Sequence, residues 1–283
     1  MSERLTVRKT YKLYIGGAFP RSESGRTYPV TDTKGRFLAN ASQASRKDVR
    51  DAVTAARKAF TGWSARTAYN RAQILYRIAE MLEGRRDQFI TEVRHGGASK
   101  THAAAQVDAA IDRWVWYAGW ADKITAVTGA ANPVTGPYFN FSTPEPTGIV
   151  AIIAPDDPLL GLVSVLAPAI ATGNTTVVIA SEPAPLPAIT LAEVLATSDL
   201  PGGVVNILTG HRTELAPWLA SHMDVNAIDL TGVPEADVTA LEEKAAENLK
   251  RVFRAAEDWS GDPGTARMTA FLEVKTVWHP VGV

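Results

Sequence analysis

Thiol chemistry is closed to this chain, because none of its 283 residues is cysteine. That one absence removes disulfides, thiolate metal sites and the thiolate nucleophile together. A protein that never used cysteine would look the same, so the other reactive residue types have to be weighed beside it. The five histidines, His95, His102, His211, His222 and His279, are scattered without ligand spacing, and no metal site is expected from them. HGGASK at 95–100 has the glycines of a phosphate loop but lacks the strand before it and the Lys-Ser/Thr ending, so it reads as a turn between helices.

The totals bound what the elements around any site can be. With 46% apolar and 21% charged residues a packed core can be buried, and 29 basic against 30 acidic residues leave a net charge of -1. No global field draws the chain to nucleic acid or an anionic membrane. No apolar run reaches the ~18–20 residues of a membrane span, and MSERLTVRKTYKLY lacks an apolar signal region, so a cytoplasmic location is expected.

Along the chain, residues 11–38 alternate apolar and polar types between Gly, Pro and Asp punctuation, which suits short strands and hairpins. Ser45 and Asp48 form a capping box before a helix whose Val49, Val53, Ala56 and Phe60 share one face. Ile74, Leu75, Ile78, Ala79 and Leu82 mark the next helix. A long helix from about 101 to 123 carries Trp114, Trp116, Tyr117 and Trp120, whose helical spacing reads as core packing. One extended run at 138–143 projects between two Gly/Pro-rich loops.

From residue 148 onward a regular alternation appears. GIVAIIA (148–154), TTVVIA (175–180), VVNILT (204–209), NAIDLTG (226–232) and LKRVF (249–253) are strands separated by helices at about 159–172, 187–198, 213–221 and 234–247. Short β-branched runs alternating with helices imply parallel βα units covered on both faces. The expected class is α/β with a Rossmann-like domain over residues 1–263, a projecting strand at 132–146 and a C-terminal arm at 264–283.

Several stretches resemble the NAD(P)-dependent aldehyde dehydrogenases: LYIGGAF at 13–19, YAGWADK at 117–123, EPTGIVAIIAP at 145–155, LAPAIATGNTTVV at 166–178, LPGGVVNILTG at 200–210 and LEVKTVW at 272–278. The resemblance covers about residues 10–255 and 268–280. It implies a coenzyme domain, a catalytic domain bearing a Cys nucleophile and a Glu that activates water, and a bridging sheet that joins subunits. Here only AAEDWSGDPGTARMT stands where the catalytic domain belongs, and no residue can fill the nucleophile's role. The resemblance therefore implies a truncated, cysteine-free paralogue with no catalytic residue.

Other positions depart from the family as well. Its PWNFP, whose Asn donates to the oxyanion, corresponds to Pro155, Asp156, Asp157 and Pro158, and an ionised Asp cannot donate. Its VLKPSE ribose clamp corresponds to VIASE, with Ile179 at the Lys position, Ala180 near the Pro and Glu182 retained. After LTG the chain has His211, Arg212 and later Trp218, where small residues usually let the adenine lie. The TGS-type turn becomes Thr231, Gly232, Val233 and Pro234, followed by Asp237; Pro at the first helical position and an acid in the first turn oppose an anion there. Ile153, Pro155, Glu182, Thr231 and Gly232 are thus expected as a vestigial cofactor site, with no cofactor required and NAD or NADP bound weakly.

The arm keeps its alternation: Leu272, Val274, Thr276 and Trp278 on one side, Glu273, Lys275 and Val277 on the other, while Phe139, Phe141 and Thr143 line one face of the earlier strand. In the family these two segments form the bridging sheet. An isolated two-stranded ribbon is marginal in water and its free edges invite pairing. Tyr138, Phe139, Phe141, Leu272, Val274, Thr276 and Trp278 are therefore the expected interface, with either a second copy or a full-length aldehyde dehydrogenase as partner. Folding of the ribbon back onto its own domain, an aldehyde oxidoreductase of divergent mechanism or active only in a mixed oligomer, and a small-ligand module reusing the crevice are the rival readings.

Overall fold

A strand such as IVAII has no polar face, so it is stable only where both faces are covered, and that requirement organises the molecule. The computed structural model describes residue 5, residues 8–255 and residues 258–282. Residues 1–4, 6 and 7, part of the segment read above as lacking a signal region, lie outside the described residues, as do 256, 257 and 283.

The chain opens with a hairpin, β1 (Thr27–Thr31) and β2 (Phe37–Ser42), followed by helices α1 (Arg46–Ser64), α2 (Ala68–Glu83), α3 (Arg86–Arg94), α4 (Lys100–Trp120) and α5 (Ile124–Thr128). Two strands lead into the central domain, β3 (Ala130–Asn132) and β4 (Tyr138–Pro146). Alternating units follow: β5 (Ile149–Ile153), α6 (Leu160–Ala171), β6 (Thr175–Ile179), α7 (Leu186–Ala196), β7 (Val205–Leu208), α8 (Arg212–Ser221), β8 (Ala227–Asp229), α9 (Glu235–Ala246) and β9 (Arg251–Phe253). A short α10 (Ala266–Ala270) precedes β10 (Leu272–Pro280).

The five central strands form one parallel sheet in the order β7-β6-β5-β8-β9. From β5 the chain winds outward first through β6 and β7, then returns to the other side of β5 for β8 and β9, so the order reverses between β5 and β8. Ile152 registers with Val178 on one side and Asp229 on the other. Val150 and Ile152 pack in a cluster with side chains of α2, α4, α6 and α7. Ile149, Ala151 and Ile153 pack with α1, α8 and α9 on the opposite face. This is the doubly wound arrangement that the βα alternation implies.

Local chemistry explains the helices that matter most. Ser45 accepts from the N–H groups of Lys47 and Asp48, and Asp48 returns the bond to the Ser45 N–H at 2.8 Å, the capping box read from sequence. All twelve residues of α6 are buried, as expected of a helix apolar all round and held between the sheet and the outer helices. Trp114 and Tyr117 of α4 are fully buried, while the rings of Trp116 and Trp120 meet at 5.5 Å with part of their surface free. Trp114 and Tyr117 are core, and Trp116 and Trp120 pack against it from its edge. Among the described residues no helix is long and apolar enough to cross a membrane.

The arm has three strands where the sequence suggested two. β10 runs antiparallel to β4 for nine residues, from Leu272 opposite Pro146 to Pro280 opposite Tyr138, and β3 adds to the far side of β4. AAN is too short for an alternation to register, which is why β3 was not legible. The register places Val274, Thr276 and Trp278 on one face together with Tyr138 and Asn140, and Phe139 and Phe141 on the other with Lys275, Val277 and His279. Phe139 and Phe141 therefore point to the face opposite Trp278, whereas Tyr138 shares the face of Trp278. Asn132 donates to Asn140 and Ser142, and Ser142 bonds Thr276, so a polar ladder binds all three strands on the Trp278 face.

A built-in linker ties this arm to the sheet. Arg267 forms an ion pair with Asp229 at the end of β8, with the two side chains 2% and 0% exposed. The Arg267 guanidinium also bonds Thr231 and lies 4.6 Å from the Phe253 ring centroid. Met268 and Phe271 are fully buried, and Asn174 donates to the Phe271 carbonyl at 2.9 Å. Arg113, itself buried, clamps the carbonyls of Trp259 and Gly261. Leu272, expected among the interface residues, is 7% exposed and belongs to this internal core, so on the Trp278 face the arm's free surface starts at Val274.

Candidate functional site

In an open parallel sheet, loops converge outside the carboxyl ends of the strands, and a ligand crevice forms where the strand order reverses. A cleft of about 940 Å³ lies there. Ile153 at the end of β5, Asp156 just beyond it, Glu182 after β6, Arg212 at the start of α8, and Val233 and Pro234 ahead of α9 all line it. Of the five expected cofactor residues, Ile153 and Glu182 face the cleft directly. Pro155 is buried beside it, and Thr231 and Gly232 stand at the end of β8, engaged by arginines from two directions.

Arg212 is the residue whose consequence the sequence hid. Its guanidinium donates to the Gly232 carbonyl at 2.9 Å and forms an ion pair with Asp156. Ser181 bonds the same Asp156 oxygen at 3.0 Å. Behind it, the Arg212 backbone N–H donates to one Glu182 oxygen at 3.1 Å, and His211 Nδ1 meets the other at 2.6 Å. The result is a strap from the start of α8 to the β5 and β8 ends. Burial pushes the Arg212 guanidinium below its ordinary value, and Asp156 supplies the counter-charge. Burial, with the Glu182 charge adding to it, pushes the nearby Tyr28 hydroxyl up, so that ring stays neutral.

The two adjacent aspartates divide their work. Asp157 accepts from the Gly161 N–H at 2.8 Å and from Gln106 at 2.9 Å, satisfying the start of α6. Asp156 is the one that reaches the strap. Pro234 is the N-cap of α9, one position earlier than the first helical place expected for it, and Glu235 opens the helix. Trp218, read as crowding the adenine, does not line the cleft: the Arg46 guanidinium stacks over its ring at 3.9 Å.

This geometry does not fit a dinucleotide. A pyrophosphate needs free N–H donors at a helix start, whereas the turn here offers Pro234, the first turn adds Asp237, and Asp156 stands at the strand end. Glu182, the carboxylate expected for a ribose, is already met by His211 and the Arg212 backbone N–H. Gly232 is fixed by sterics instead. A Cβ at that position would collide with the Ala154 carbonyl, so the ends of β5 and β8 approach too closely for any side chain. Gly232→Ala is expected to lower stability by about 2–3 kcal/mol, since backbone must move; a thermal or urea melt reads it.

A doubly wound parallel sheet with a crevice at the strand-order reversal is a Rossmann-like fold, here carrying a projecting antiparallel arm. Residues 19–255 match the model of the aldehyde dehydrogenase family. The chain belongs to that family. It is 35% identical over 253 residues to cytosolic aldehyde dehydrogenase 1 of Elephantulus edwardii, covering 85% of this chain and 49% of that protein. Human retinal dehydrogenase 2 is 35% identical, with 86% and 48% covered. Among solved structures, the NAD+ complex of aldehyde dehydrogenase from Bacillus cereus superposes with a TM-score of 0.83 at 28% identity, covering 87% of this chain and 50% of that one. HpcC from Thermus thermophilus gives 0.83 at 32% identity, with 87% and 48% covered. The chain spans about half the length of these relatives.

Proposed function

We propose that this chain is a non-catalytic member of its family, acting in the cytoplasm as a structural or regulatory subunit of a full-length, cysteine-bearing aldehyde dehydrogenase. The observation that carries this is a contrast within one chain. No cysteine is present, yet a nine-residue β10 is anchored to the sheet by the buried Arg267, Met268 and Phe271 and presents exposed apolar side chains. Exposed strand edges and apolar faces favour pairing with another chain. A second copy of the chain would satisfy the same surface by closed symmetry.

The test is co-expression with a full-length aldehyde dehydrogenase from the same source, followed by affinity purification and light scattering. Co-elution in a fixed ratio is expected; a clean monomer that ignores every such enzyme would end the proposal. The rival reading, an aldehyde oxidoreductase that uses NAD or NADP itself, predicts micromolar coenzyme binding. Because the strap and Asp237 oppose the pyrophosphate, calorimetric titration of NAD+ and NADP+ is expected to give only weak or no binding. The purified chain alone is expected to leave propanal unoxidised.

A further inference from the structure

The cleft extends well past the strap. Toward the β1–β2 hairpin it is walled by Val30, Leu38, Pro183, Leu186 and Pro187, and its volume of about 940 Å³ is at the upper end of small-molecule sites. Five carboxylates face this space, Asp32, Glu92, Asp156, Glu182 and Asp237, against the fixed cations Arg212 and Lys244, with His95 beside them. Three are already engaged: Asp32 by Arg36, Asp156 by Arg212, and Glu182 by His211 and the Arg212 backbone. Among the described residues, Asp237 and Glu92 have no close ion pair within the chain, although Lys244 lines the same cleft and Lys9 acts on Glu92 from farther off.

Glu92 is the unusual one. It is 8% exposed, on the cleft wall, and its Oε1 takes Thr190 at 2.8 Å, Tyr11 at 3.2 Å and Gln88 at 3.4 Å. Its Oε2 has no partner among the described residues. Lys9 acts on it only at longer range and is itself paired with Glu193 at 2.7 Å. A buried carboxylate oxygen without a donor is costly, and burial pushes this carboxyl above its usual range. A rotation of the carboxyl that turns Oε2 toward the cleft would let an incoming N–H donor remove that cost. An anion would find Glu92 and Asp237 in its way.

We propose that the hairpin half of the cleft binds an organic amine, with a compact apolar body against the proline-rich wall and its ammonium directed to Glu92. The inference is independent of the assembly reading, since co-purification does not sense this cleft.

Three probes of one shape decide it: phenylbutylamine, phenylbutanol and phenylbutyrate, titrated calorimetrically into the full chain at neutral pH. The amine is expected to bind at least about tenfold more tightly than the alcohol, about 1.4 kcal/mol, and the carboxylate more weakly than both. Glu92→Gln is expected to erase the preference for amine over alcohol while leaving the alcohol's affinity unchanged. Equal or tighter binding of the carboxylate, or no binding of the amine at millimolar concentration, would overturn the proposal. So would an amine preference that survives Glu92→Gln. Should that variant fail to fold, the order of the three probes on the unaltered chain decides alone.

Discussion

Asp229→Ala is expected to destabilise the chain by about 3–5 kcal/mol, the usual consequence of removing one member of a buried ion pair. Both side chains are almost inaccessible, so water cannot replace the lost carboxylate around Arg267. The pair joins the end of β8 to the segment that carries the arm, and its loss acts on both. Urea unfolding should move to lower midpoint, and limited proteolysis should open the linker around residues 258–265 before the rest. Replacing the pair together, Asp229→Leu with Arg267→Met, is expected to recover most of the loss, because two desolvated charges are exchanged for packed apolar groups. A single substitution costing less than about 1 kcal/mol would mean that the linker is held by Phe271, Met268 and the Arg113 clamp instead.

That ion pair also marks where sequence reading stops. The βα alternation, the capping box and the tryptophan helix were legible because each is a local pattern: a short continuous β-branched run, period 3.6, or a residue pair three apart. The strand order was not legible, because which strands pair is set by long-range packing rather than by any local pattern. Asp229 with Arg267, and Asp156 with Arg212, were not legible, because each joins residues 38 and 56 positions apart and nothing in either neighbourhood forecasts a partner. Glu182 shows the middle case. Its retention was visible, but that His211 and the Arg212 backbone already use both its oxygens could be known only from geometry. The unmatched Oε2 of Glu92 belongs to the same class, since a glutamate inside a helical segment reads as an ordinary surface charge until its burial is seen.

Substituting the arm's exposed aromatic surface should separate assembly from folding more cleanly than any change in the cleft. Val274 and Trp278 are 66% and 58% exposed, and share a face with Tyr138, whose ring meets that of Trp278 at 5.7 Å. Exposed side chains contribute little to the folded monomer, so Val274→Lys with Trp278→Asp should change its melting temperature only slightly. At an interface, by contrast, truncating a central Trp costs about 2–4 kcal/mol, and placing a carboxylate there adds desolvation without a partner. Association with a cysteine-bearing aldehyde dehydrogenase is therefore expected to weaken at least about a hundredfold, equivalent to about 2.7 kcal/mol. Lys275→Ala is the internal control: its pair with Glu145 lies at 3.0 Å but both groups are half exposed, and such surface pairs contribute about 0–1 kcal/mol. Phe139→Asp tests the opposite face of the same ribbon, where Phe139 and Phe141 meet at 5.5 Å. Loss of association from both faces would place the ribbon between two neighbours, and loss from one alone would assign the contact to that face. A partner that binds the Val274→Lys, Trp278→Asp chain as tightly as the unaltered one would show that the arm is not what joins them.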